Sequence, residues 1–173
     1  MGSAAGRAGA TITGVSTVDV AVTAATSIGV VCDEPVVLHN GSNVVVHLRP
    51  ADVVARVATL TAAIRPGIEA WFERDALVAR HVAARGVLAT RPLVPAVPVD
   101  GHVVGLWEYA PHDPDHVMSP AEVAKALFDL HVALADLDAD LPELGPCDDL
   151  EHAFPQVRGC MRPRQDSNLR PSA

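Results

Sequence analysis

Residues 36–60, VVLHNGSNVVVHLRPADVVARVATL, constrain the fold most, because Arg56 sets a permanent positive charge inside the apolar run Val53-Val54-Ala55-Arg56-Val57. A charge taken out of water persists only where an anion meets it. The turn chemistry around it reads as sheet. Asn40-Gly41, whose residues both tolerate positive φ, is flanked by β-branched runs and predicts a hairpin. Arg49-Pro50-Ala51-Asp52 predicts a second turn, with Pro50 setting φ at its second position. Three short strands follow. With a period of two, Val54 and Arg56 share one face of the third strand, and Val53, Ala55 and Val57 the other. Arg56 then faces either a cleft beneath the first turn or the wet side of an edge strand.

A candidate anion lies in the next element. After the breaker Arg65-Pro66-Gly67, Ile68 to Arg85 predicts a helix closed by Gly86. At about 100° per residue, Trp71, Val78 and Val82 fall within ~20° of one line, with Phe72 and Ala79 widening the stripe. Asp75 lies inside that arc, ~40° from Trp71, while Glu73 and Arg80 project to the opposite face. A carboxylate on the side to be buried needs a cation, and Arg56 needs an anion, so the two are expected to meet. The alternative is a carboxylate at the rim of the stripe, reaching water.

The remaining segments complete a sheet and begin a second body. Val20 to Ile28 predicts a short helix ending at Gly29, within a flexible leader of residues 1–33. Arg91 to Pro98 is extended because residues before proline avoid the helical region. Asp100-Gly101 turns the chain between a short strand and His102 to Tyr109, for about five strands in all. Ser119-Pro120-Ala121-Glu122 is a capping-box helix start. Val123, Leu127, Leu130, Leu134 and Leu137 then repeat at four-three spacing, a stripe expected to be buried up to Leu141. His131 beside it is expected to bond a neighbouring backbone group. Residues 148–154 are expected to add one helical turn.

Composition narrows the class. The 173 residues are 49% apolar but only 3% aromatic, enough for one core built from Val, Leu and Ala. A formal charge of −8 argues against a nucleic-acid or membrane-surface partner. Lys125 is the sole lysine, so an anion-binding role inside the fold falls to arginine. Cys32, Cys147 and Cys160 are widely spaced without a CxxC pair, which fits a reducing cytoplasm better than a zinc site or disulfide framework. No continuous apolar run suggests a signal core or a membrane span. His112-Asp113-Pro114-Asp115-His116 offers candidate metal ligands, but its flanking prolines mark an exposed loop. Residues 158–173 are basic and proline-broken, unlike the acidic body, and read as a disordered tail. That tail resembles one produced where translation runs through a transfer-RNA gene, so the natural frame is expected to be lost near residue 157.

The order of these elements resembles the small lobe of a kinase, and the details are similar to the aminoglycoside phosphotransferase family. LHNGSNVVVHL resembles that family's phosphate-covering turn and next strand, and VVARV its third strand. FERDALVARHVAARG resembles the following helix, VVGLWEYAPHD the segment linking the lobes, and ALFDLHVAL the helix that opens the second lobe. The resemblance covers about residues 34–154. It implies an α+β kinase-like lobe over 34–117, the start of a second lobe over 118–157, and ATP with magnesium as cofactors. By the same resemblance, Asn40, Gly41, Ser42 and Asn43 cover the phosphates, Arg56 paired with Asp75 holds them, and Trp107, Glu108 and Tyr109 pass the adenine.

The chain departs from the family at two places. Arg with Asp replaces Lys with Glu, where a longer base offsets a shorter acid. No HGD-type catalytic loop or later metal-binding acid follows Leu141, so the chain is expected to bind nucleotide without transferring phosphate to a small-molecule hydroxyl unless a second lobe is supplied. Two other readings stay open: a non-catalytic nucleotide- or protein-binding module, and a metal-binding protein using His112 and His116. Without a second lobe, the cleft-facing surface and the Leu127/Leu130/Leu134 stripe would be uncovered and sticky.

Overall fold

The computed structural model describes residues 15–113 and 115–141. Helix α1 (Thr17–Ser27) starts at Ser16, whose hydroxyl accepts the Val18 amide at 3.2 Å, and ends before Gly29 at φ 80°. Strands β1 (Cys32–Asn40), β2 (Asn43–Pro50) and β3 (Val53–Ala58) follow, then the short helix α2 (Leu60–Ile64) and the longer α3 (Ile68–Ala84). Strands β4 (Val97–Val99) and β5 (His102–Glu108) precede helix α4 (Pro120–Leu134). The fold is α+β. All neighbouring strands pair antiparallel in one five-stranded sheet of order β1-β2-β3-β5-β4.

The sheet's two faces have different tasks. One carries Val44, Val46, Leu48, Val53, Ala55, Val57, Val104 and Leu106, all buried, and α1 lies on it through Val20, Ala21, Ala24 and Ala25. Three of those four helix residues are alanine, so the helix axis can come close to the sheet and leave no gap. Within the leader read over residues 1–33, the short helix expected at Val20 to Ile28 is present as α1, where it forms one side of the core, and β1 begins at Cys32. Residues 1–14 of that leader, the turn expected at 148–154, Cys147, Cys160 and the 158–173 tail lie outside the described residues. The other face carries Val54 and Arg56, as the period-two reading expects, with Trp107 and Gly105 opposite them on β5.

Turn chemistry also differs from expectation. Among the described residues, positive φ occurs at Gly29, Gly67, Gly86, Asp100 and Gly101, and not at Asn40 or Gly41. The left-handed hairpin geometry expected at Asn40-Gly41 is instead found at Asp100-Gly101, with φ of 47° and 78°. The β1–β2 connection is longer: Asn40 pairs with Val44, and the Gly41 amide donates to the Asn43 carbonyl at 3.1 Å. Pro50 extends β2 by pairing with Cys32, so the β2–β3 turn falls on Ala51 and Asp52.

Helix α3 matches its expected span, between Gly67 and Gly86, but its buried face is Phe72, Ala76 and Val82. Trp71 is half-buried under two guanidiniums, with Arg65 at 4.5 Å and Arg74 at 5.5 Å from its ring centroid. The rotation arises because Phe72 packs on β5 at Gly105, where a larger residue would not admit it. Helix α4 has the expected capping box: the Ser119 hydroxyl accepts the Glu122 amide, and Glu122 Oε2 accepts the Ser119 amide at 2.7 Å. That hydrogen bonding lowers the Glu122 carboxyl below its ordinary range. Its apolar stripe is not buried as expected. Val123 and Leu127 are exposed and Leu130, Leu134 and Leu137 half-buried, the helix stops at Leu134, and Ala133 alone on it is buried. His131 is exposed too. Histidines that do meet a backbone carbonyl include His81 on α3, with Nε2 3.0 Å from that of Ala133, and His102 and His112, each with Nδ1 3.2 Å from the carbonyl two residues before it. Among the described residues no helix is long and apolar enough to cross a membrane.

Candidate functional site

The carboxylate sought for Arg56 is Asp75, whose Oδ2 accepts from Nη2 at 2.6 Å across 19 positions of sequence. The strand aims the guanidinium off the face opposite α1, and α3 brings the acid down to it. The pair is not buried, as the apolar context of Arg56 had suggested: the side chains are 27% and 48% exposed. Such a pair contributes only about 0–1 kcal/mol to stability. Its value is positional. Arg56 is further fixed by aromatic faces, its guanidinium carbon lying 4.2 Å from the Phe72 centroid and 5.5 Å from that of Trp107. Arg56 Nε and Trp107 Nε1 are buried and make no hydrogen bond among the described residues.

Arg56 stands at one end of a cavity of about 370 Å3. Leu38, Val45 and Val54 supply an apolar wall, and Trp107, Glu108, Tyr109 and Ala110 line another part of it. Thr90 and His112 complete the lining. The backbone of the 107–110 segment is held from both sides. The Glu108 amide donates to the Arg91 carbonyl at 2.9 Å and the Tyr109 amide to Asp52 at 3.0 Å. This arrangement is a slot with apolar walls, a rigid backbone edge and one cation, suited to a flat ring joined to an anion.

Four of the residues singled out from sequence, Arg56, Trp107, Glu108 and Tyr109, therefore line one cavity, and Asp75 meets it through Arg56. Asn40, Gly41, Ser42 and Asn43 do not line it. Their turn is tied toward α2: the Ser42 carbonyl accepts the Thr61 amide at 3.1 Å and the Thr59 hydroxyl at 3.0 Å, and Asn43 Oδ1 accepts the Thr61 hydroxyl. Among the described residues no group of three or more His, Cys, Asp or Glu is placed to hold a metal ion, His112 and His116 included. Asp113 instead accepts the Asp115 amide at 2.9 Å in a local turn. No family model, curated protein or solved structure matches the chain.

One residue of the site is invisible to pattern reading. His47 of β2 is buried, and its ring stacks on Tyr109 at 4.0 Å between centroids with a 9° interplanar angle. Neither ring nitrogen has a hydrogen-bond partner among the described residues. A buried polar atom without a partner costs about 1–3 kcal/mol, while the stack itself needs only a flat ring. His47→Phe is therefore expected to keep the Tyr109 wall and raise Tm by a few degrees, about 1 kcal/mol or more. A melting curve in which the phenylalanine variant is less stable than the parent would show that the nitrogens are satisfied in solution.

Proposed function

We propose that this chain is the nucleotide-binding lobe of an ATP-dependent small-molecule phosphotransferase of the aminoglycoside phosphotransferase type, acting in the cytoplasm. The observation that carries the reading is the Arg56–Asp75 pair, 2.6 Å apart, at the end of a cavity walled by Trp107, Glu108 and Tyr109. The apolar wall of Leu38, Val45 and Val54 suits the faces of a base, and Arg56 suits a phosphate. Asp75 holds the guanidinium in place without removing its outward charge. Phosphoryl transfer also needs an acid that orients the nucleophile and groups that hold magnesium. No HGD triplet occurs in the sequence, so the chain binds nucleotide and leaves transfer to a hydroxyl to parts supplied from elsewhere.

Titration with ATP tests this. Saturating nucleotide is expected to raise Tm by several degrees, since a ligand at one hundred times its Kd stabilises by about 2.7 kcal/mol. Arg56→Ala is expected to weaken ATP affinity about tenfold or more, through loss of a charge-assisted contact, and so to roughly halve the stabilisation at the same ATP concentration. Parent protein whose melting is indifferent to millimolar ATP and ADP would refute the reading.

A further inference from the structure

Helix α3 is held at two places, and it reaches the cavity only through the contact of Asp75 with Arg56. At its first half Asp75 meets Arg56 and Phe72 packs over Gly105. At its last turn, His81 and Arg85 meet the end of α4. Arg85 Nη2 donates to Asp136 Oδ2 at 2.5 Å, and His81 Nε2 lies 3.0 Å from the Ala133 carbonyl and 3.3 Å from Asp136 Oδ1. Arg85 Nη1 lies 3.2 Å from His81 Nδ1. These contacts fix the imidazole. Arginine only donates and a carbonyl only accepts, so Nδ1 carries the lone pair and Nε2 the proton. The Arg85 guanidinium also holds the Asp136 carboxyl below its ordinary range.

We propose that Asp136, just past the end of α4, is a positioning residue for the cavity: by fixing His81 and Arg85 it sets the seat of α3, and so the reach of Asp75 to Arg56. Asp75 and Arg85 are about ten residues and ~15 Å apart, a length over which a hydrogen-bonded helix moves as one body. The Arg56–Asp75 pair is too weak to set that seat alone, and the Arg85–Asp136 pair, 35% and 66% exposed, is more open still, so the seat is completed by the convergence of His81 and Arg85 on Asp136 together with the packing of Phe72 on Gly105. Two residues of the α3 terminus and one backbone carbonyl of α4 converge on a single site, which makes Asp136 the centre of the second anchor. The consequence for ligand affinity rests on the nucleotide reading above, whereas the mechanical link does not.

The chain has two tryptophans, and Trp107 lies under Arg56, so a Trp71→Phe background leaves Trp107 as the only indole reporter. In that full-length background, Asp136→Ala and the isosteric Asp136→Asn are expected to shift Trp107 emission well below Tm, with far-UV circular dichroism unchanged. Both are expected to weaken ATP affinity about five-fold or more. The reversed pair Arg85→Glu with Asp136→Arg is expected to return both readouts toward the parent, which a generally damaged fold would not do. Unchanged Trp107 emission in both Asp136 variants overturns the proposal, and the asparagine variant decides it if the alanine variant does not fold. If the parent ignores ATP, the nucleotide reading fails while the emission arm still decides the link.

Discussion

Deletion of residues 1–28 is expected to abolish cooperative unfolding, leaving a chain that binds hydrophobic dyes and aggregates. Helix α1 covers the core of one face of the sheet, and its removal exposes the side of Val46, Leu48, Val57, Val104 and Leu106, all fully buried now. Burial of a valine- or leucine-sized side chain contributes about 1.5–3 kcal/mol. Losing even half of that at these positions, together with Val20 and the three buried alanines of α1, approaches the ~5–15 kcal/mol net stability typical of a domain. A point variant separates the helix's packing from the length of chain removed. Val20→Asp puts a charge where the side chain has no exposure, and is expected to cost more than about 4 kcal/mol. A truncated chain that melts cooperatively at the parent temperature would mean that the sheet is stable with that face open.

That helix is also where sequence reading fell shortest, for a physical reason. Residues 17–27, TVDVAVTAATS, carry β-branched and small residues with no broad apolar stripe, so neither length nor amphipathicity marks the segment as core. Alanines become core residues only because of what they approach. Elsewhere the signals were local and legible. Strand alternation placed Val54 and Arg56 together, Gly67 and Gly86 bounded α3, and Ser119 with Glu122 marked the start of α4. The Arg56–Asp75 contact was inferred because two charges in apolar company need each other, although the pair sits at a rim open to water. The α3 face was misjudged by one position because the choice between Trp71 and Phe72 depends on a glycine across the sheet. The His47–Tyr109 stack joins residues 62 positions apart with no pattern linking them.

Gly105 is where that long-range dependence can be tested directly. It pairs with Arg56 across β3 and β5, and the Arg56 guanidinium lies between the Phe72 and Trp107 rings above it. A Cβ at 105 would stand 2.7 Å from Trp107 Nε1, and 3.1 and 3.3 Å from two carbons of the Phe72 ring. Neither ring is a flexible chain end that can swing aside cheaply. Gly105→Ala is therefore expected to cost about 1–3 kcal/mol as overpacking, lowering Tm on the order of 5–15 °C. The direction of the shift matters more than its size. Relief requires Trp107 to shift first and Phe72 to give by a few tenths of an ångström, so Trp107 emission should change in the folded protein, and any lift of Phe72 passes to α3 and to the Asp75 contact with Arg56. Phe72→Leu added to Gly105→Ala is expected to recover part of the stability by removing the ring, though the Trp107 contact persists. If Gly105→Ala melts within about 1 °C of the parent, against an expected loss several times larger, Phe72 does not rest on Gly105 in solution. The seat of α3 would then rest on its other contacts, Asp75 with Arg56 and His81 and Arg85 with Asp136.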